Sequence, residues 1–90
     1  MTALLVVEVS LSSLRFDRTR KASLYALARI ADYWILNLVD HQLEVYRDPA
    51  PDATQAYGYG YSSRSVLGPA DSVSPLALPG VSIPVASLRP

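Results

Sequence analysis

Leu4-Leu5-Val6-Val7-Glu8-Val9-Ser10, followed by a short polar loop and then Asp17-Arg18-Thr19-Arg20-Lys21, is the stretch on which the reading of this chain turns. Five of the six residues from Leu4 to Val9 are apolar, and three of them are β-branched. That pattern predicts a short strand covered on both faces. Glu8 interrupts the run. An unpaired buried carboxylate is costly, so Glu8 must be protonated, paired with a cation, bound to a metal, or just clear of the core at the strand's end. Lys21 can supply the cation, as can Arg18. A strand-end acid with a lysine one loop away fits a metal and phosphate site, and it fits a structural salt bridge equally well.

Outward from this stretch, Asp17 stands where a helix N-cap is expected, with a helix over Arg18 to Ile30 that ends near Ala31. Leu24, Leu27, Ala28 and Ala31 make the expected core stripe. Lys21 and Tyr25, four residues apart, share a neighbouring face. Tyr33 to Val39 is a second strand, Asp40-His41 a turn, and Gln42 to Arg47 a half-exposed hairpin partner with Leu43 and Val45 inward and Gln42, Glu44 and Tyr46 outward. Strand, helix, strand in this order predicts a right-handed parallel crossover, with the third strand antiparallel on the second.

From residue 48 to residue 90 the expectation is loop and Pro-rich short strands. Asp48-Pro49-Ala50-Pro51-Asp52 breaks the strand pattern. Tyr57, Tyr59 and Tyr61 alternate with glycines and would line one face of a strand. Pro69, Pro75, Pro79, Pro84 and Pro90 leave room only for short edge strands and turns.

Composition narrows the function. The chain of 90 residues is one domain at most, and half of its residues are hydrophobic, enough for a core. Eight Lys and Arg balance eight Asp and Glu, so no global charge draws it to nucleic acid or an anionic membrane. With no cysteine and one histidine, disulfide frameworks, thiolate metal sites and His-rich zinc sites are excluded. The apolar N-terminal run is too short for a signal peptide or a membrane span, so a soluble cytoplasmic protein is expected. Arg15, Arg18, Arg20 and Lys21 crowd one helix start, where cations oppose the macrodipole, and a phosphate is the anion such a start usually meets.

The ordered run of Leu5-Val6-Val7-Glu8-Val9-Ser10, Ser12-Ser13, Phe16-Asp17-Arg18, Lys21, Leu24-Tyr25-Ala26, Asp32-Tyr33-Trp34-Ile35 and Leu43-Glu44-Val45-Tyr46-Arg47 resembles the Uma family of restriction endonucleases, within the PD-(D/E)xK nuclease superfamily. Leu78-Pro79-Gly80-Val81 with Ile83-Pro84-Val85-Ala86 resembles that family's C-terminal end. The resemblance implies an α+β fold: a restriction-endonuclease-like mixed sheet with a β-α-β-β core, a crossover helix and short C-terminal strands. It also implies Mg²⁺-dependent cleavage of DNA phosphodiesters. Glu8 and Lys21 would be the catalytic pair, with Glu8 also the metal ligand. Arg18 and Arg20 would bind phosphate, and Asp17 and Tyr25 would support them from behind. Ser10 occupies the place of the superfamily's usual lysine, and Lys21 would supply that charge from the helix. Arg29 and Ala31 stand in place of the family's Gly and Pro.

The family's upstream Pro-Asp acid has no counterpart ahead of Glu8. The resemblance is therefore to a C-terminal half, a truncated endonuclease expected to bind Mg²⁺ weakly and to cleave little by itself. Two rival readings stand beside it. One is a non-catalytic interaction module whose Leu4–Val9 edge pairs with a partner chain or a second copy. The other is a small structural domain held by a Glu8–Lys21 salt bridge.

Overall fold

The structure is a computed structural model that describes residues 4–88, so Pro90 of the Pro-rich tail lies outside the described residues. Strand β1 (Val6–Ser10) is followed by a helical stretch, α1 (residues 14–27), in three joined segments: α-helical Leu14–Phe16, a π-turn Asp17–Lys21, and α-helical Ala22–Leu27. Strands β2 (Asp32–Asn37), β3 (Gln42–Pro51) and β4 (Tyr59–Leu67) come next, then the short pair β5 (Ser72–Val73) and β6 (Ile83–Pro84), and a 3₁₀ turn Val85–Leu88. The main sheet runs β1-β2-β3-β4, and β5 pairs with β6. As the strand-helix-strand order requires, β1 and β2 are parallel; β3 is antiparallel to both β2 and β4. The fold is α+β with a mixed sheet of the restriction-endonuclease-like kind.

Alternation on β2 divides the core into two layers. Trp34 and Leu36 face one way and pack with Leu43, Val45, Val73 and Val85, so the C-terminal tail covers that face. Tyr33 and Ile35 face the other way and pack with Ala22 and Tyr46 beneath α1. Every residue of β2 is buried, including its two polar ends. Asp32 at one end is satisfied by Trp34 Nε1 at 2.7 Å, Arg47 Nε at 3.0 Å and the Leu76 backbone N–H at 3.0 Å. Arg47 also donates to the Ser74 carbonyl at 2.7 Å, so one buried acid and its arginine lace the tail to the sheet.

Several local expectations are corrected. The helix begins three residues before Asp17. The Asp17 N–H donates to the Ser13 carbonyl at 2.9 Å, which makes Ser13 the cap, and Asp17 itself is helical and buried. A good capping residue misleads here because Leu14 has core to pack against. The expected core stripe also faces the wrong way: Leu24 and Leu27 are 44% and 43% exposed, while Asp17, Ala22, Ser23 and Ala26 are turned to the sheet. β2 ends at Asn37, leaving Leu38 and Val39 in the turn with Asp40 and His41. Tertiary cover overrides the alternation of β3, because Leu43 through Tyr46 are all buried. The segment expected as loop, Asp48 to Pro51, extends β3, and residues 59–67 form a full fourth strand. Beyond Arg47, β3 has β4 on one side only, and an open side is where prolines such as Pro49 and Pro51 are tolerated.

The helix end has a clear cause. Arg29 N–H donates to the Ala26 carbonyl and Ile30 N–H to the Tyr25 carbonyl, both at 3.0 Å, closing a Schellman motif with Arg29 at φ 62°. Glycine is the usual occupant of that left-handed position, and a side chain there costs on the order of 1–2 kcal/mol. The Arg29 guanidinium offsets part of this by stacking 5.3 Å from the Tyr59 ring.

Candidate active site

The face of the sheet under α1 carries an unusual rank of residues. Glu8 on β1 lies beside Ile35 on β2, Ile35 beside Glu44 on β3, and Glu44 beside Val66 on β4. Two carboxylates thus sit two strands apart on one face, about 10 Å at the usual strand spacing. The helix answers each with a cation.

At the β1 end, Lys21 Nζ lies 3.4 Å from Glu8 Oε2 and 3.4 Å from Asp17 Oδ1. Tyr25 donates its hydroxyl to Glu8 Oε1 at 2.9 Å. The i, i+4 spacing of Lys21 and Tyr25 therefore brings both onto the strand acid, as expected from the sequence. Ser13 donates to Asp17 Oδ2 at 3.0 Å, and Asp17 Oδ1 has no hydrogen bond beyond the ion pair to Lys21. The Asp17 carbonyl accepts the Tyr33 hydroxyl at 3.0 Å, which fixes the π-turn to the sheet. π-turns of this kind recur at functional sites because they shift the helix face by one residue. The Glu8 side chain remains 25% exposed and the Lys21 side chain 32%, so the cluster opens to solvent. Partial burial works against the Lys21 charge, but Asp17 and then Glu8 outweigh it and hold the ammonium above the ordinary lysine range. Burial first, and Glu8 second, also raise the Tyr25 phenol.

The β3 end is different in kind. Glu44 is fully buried, and Arg18 grips it with Nε at 2.8 Å from Oε1 and 3.1 Å from Oε2, while Nη2 closes on Oε2. Tyr46 OH donates at 2.7 Å and Asn37 Nδ2 at 3.3 Å, and Arg64 Nη2 stands 3.4 Å away. Arg18, expected at a phosphate, is instead committed to this acid. Sequence reasoning set Glu44 outward and missed it. The signal was present: a carboxylate between Leu43 and Val45 needs a partner once the strand is covered, and Arg18 was in surplus at the helix start. Arg20 and Arg15 remain at the surface, beside Ser12, Ser13, Phe16 and Thr19 around a shallow depression. Ser10 is fully buried on the Glu8 face, and its hydroxyl has no hydrogen-bond partner.

Between the two acids, Tyr33 packs at ring-centroid distances of 5.0 Å from Tyr25, 5.8 Å from Tyr46 and 6.0 Å from Tyr61. This aromatic floor gives the helix a rigid seat. Tyr61 belongs to the alternating tyrosines, and its hydroxyl donates to the Ile30 carbonyl at 2.6 Å, so its role is structural.

Burial acts to raise the Glu44 pKa, but the hydrogen bonds from Arg18 and Tyr46 and the charges of Arg18 and Arg64 outweigh it and lower the value to about 2. The folded state therefore binds fewer protons than the unfolded chain between pH ~2 and ~4.5, and stability rises with pH across that window. Full stabilisation from this group is present above pH ~4.5 and is lost as pH falls toward 2, a change of about 3 kcal/mol. Urea melts from pH 2 to 7 are predicted to show that slope in the parent and a flatter one in Glu44→Gln. The variant is also predicted to be less stable at pH 7 by about 3–5 kcal/mol. Parallel slopes in the two proteins would refute the assignment.

Among the described residues no helix is long and apolar enough to cross a membrane, and no three His, Asp or Glu side chains gather as a metal cluster. No curated protein and no solved structure matches the chain. The sequence profile of Uma2, described as putative restriction endonuclease, matches residues 2–86. With nearly its whole length and both acids of the rank inside that match, the chain belongs to the Uma2 family of restriction-endonuclease-like proteins.

Proposed function

We propose that Glu8 and Lys21 are the working residues of a divalent-metal-dependent nuclease site acting on DNA phosphodiesters. The observation that carries this reading is the solvent-open sharing of one carboxylate, at the centre of β1 rather than at the expected strand end, between Lys21 and Tyr25. A purely structural ion pair gains little at such exposure, at most about 1 kcal/mol. Membership in the family supports the same reading.

The donor set suits Mg²⁺. Glu8 offers a partly accessible carboxylate, and behind it the buried Asp17 turns an oxygen without hydrogen bonds toward Lys21. Mg²⁺ is commonly held by one or two carboxylates together with waters and substrate phosphate. Glu8 would be the ligand and Asp17 its support. The metal, when bound, lowers the pKa of a coordinated water and polarises the phosphoryl oxygen. Tyr25 holds the Glu8 side chain in place through its hydroxyl. Lys21, kept protonated by its two carboxylates, presents positive charge where the phosphate gains negative charge. Arg20 and Arg15, at the surface of the helix start, are placed to meet the DNA backbone. Arg18, bonded to Glu44, is assigned no phosphate in this reading. With so few protein oxygens, metal affinity and turnover are expected to be low.

The test is thermal melting with and without Mg²⁺, beside cleavage of supercoiled plasmid. Mg²⁺ at its Kd adds about 0.4 kcal/mol, a rise in Tm of roughly 2–3 °C for a domain of this size. Parent protein is expected to show the shift and slow nicking, and Glu8→Gln to show neither. Lys21→Met is expected to keep the metal shift and lose nicking. An equal metal-induced shift in parent and Glu8→Gln would remove Glu8 as ligand.

A second reading rests on a separate observation. β1 lies at the sheet edge, and Val7 and Val9, on the face away from α1, are 44% and 56% exposed. The tail covers Trp34 and Leu36 but leaves these two bare. An apolar edge of this kind pairs readily with another chain. On this reading the protein is an interaction module that joins a partner or a second copy through β1. Sedimentation over a concentration series would then reveal association, abolished by Val9→Lys. A monomer at every concentration, with the β1 amides protected from exchange, would count against it.

A further inference from the structure

Arg18 is the second residue of the π-turn Asp17–Lys21 and reaches across the sheet to Glu44. We propose that Arg18 and Glu44 are positioning residues: their ion pair, anchored on the buried Glu44 carboxylate, sets the roll of the helix and so holds Lys21 against Glu8. The inference rests on the proposed role of Glu8 and Lys21 and adds the device that aligns them.

The two ends of the Glu8–Ile35–Glu44 rank are unequal. Glu44 is inaccessible, and all its acceptor capacity is taken up by Arg18, Tyr46, Asn37 and Arg64. A carboxylate in that state neither ligates a metal nor accepts a substrate proton. Breaking such a pair leaves a buried charge uncompensated, so the contact is stiff. The Glu8 contacts are longer and partly wet, and by themselves would not fix a helix. Positions 18 and 21 are three apart in a turn wound with i→i+5 bonds, as the Ala22 N–H to Asp17 carbonyl bond records. A helix with ordinary i→i+4 winding would turn Lys21 to a different azimuth relative to Arg18. The grip on Glu44, together with the Tyr33 bond to the Asp17 carbonyl, is what makes the wider winding the stable one here.

The experiment measures the Glu8–Lys21 coupling directly, with neither metal nor DNA present. The Lys21 pKa is followed by NMR of its side-chain ¹³Cε in the parent, and the fall caused by Glu8→Gln is recorded. The same Glu8→Gln change is then made in the double variant Arg18→Met/Glu44→Leu, which replaces the buried pair by apolar groups, a swap that is often neutral or stabilising. The proposal expects a lower Lys21 pKa in the double variant and loss of the response to Glu8→Gln. A full response to Glu8→Gln in the folded double variant overturns it. Should that variant fail to fold, Arg18→Lys keeps a charge on Glu44 without the two-oxygen grip. In that background a reduced response supports the proposal and an unchanged one overturns it. Loss of coupling in a protein whose parent neither binds Mg²⁺ nor cuts DNA would leave the alignment standing and the nuclease reading refuted.

Discussion

A carboxylate with no exposure to water governs this molecule. Glu44 lies in the middle of the sheet, and its charge is tolerable only because a guanidinium, a phenol, an amide and a second arginine converge on it. The arginine that grips it comes from the helix. With Arg18 drawn in, α1 meets the sheet through Asp17, Ala22, Ser23 and Ala26, and Leu24 and Leu27 are left outside. Two large apolar side chains therefore stay exposed on the helix, while the Arg18–Glu44 contact and the small residues Ala22 and Ala26 hold its inner face to the sheet.

The same rank separates two uses of one residue type. Glu44 is enclosed and saturated, and it holds the fold. Glu8 is partly open, shares its oxygens between a lysine and a tyrosine, and is the acid to which we assign the proposed chemistry. Ile35 between them is fully buried and keeps the acids apart. The tyrosine floor of Tyr25, Tyr33, Tyr46 and Tyr61 serves both, since Tyr25 reaches Glu8, Tyr46 reaches Glu44, and Tyr33 anchors the turn between them. Environment, not residue identity, assigns the roles.

Much of this was legible in the sequence. The place of β1, the parallel β2, the antiparallel β3, and the meeting of Glu8, Lys21 and Tyr25 follow from apolar runs, chain order and i, i+4 spacing. The expected cover on both faces of β1 does not hold, since it is an edge strand with Val7 and Val9 exposed. What was illegible depended on non-local cover. Local alternation put Glu44 outward, because nothing nearby in sequence announces that α1 will cover that face of β3. Asp17 reads as a cap until Leu14 is known to have core beneath it. Leu24 and Leu27 read as core because hydrophobic periodicity weights large side chains, whereas the buried face is made of Ala22, Ser23 and Ala26 beside Asp17. The prolines of β3 read as loop because a strand extension with one neighbour leaves no local mark.

Anomalous scattering from a crystal grown with Mn²⁺ tests the central claim, that of the two acids under the helix Glu8 works and Glu44 holds. The account predicts a peak in contact with the Glu8 carboxylate, with Arg18 still closed on Glu44. A peak on Glu44, or a site elsewhere with Glu8 bare, would contradict it.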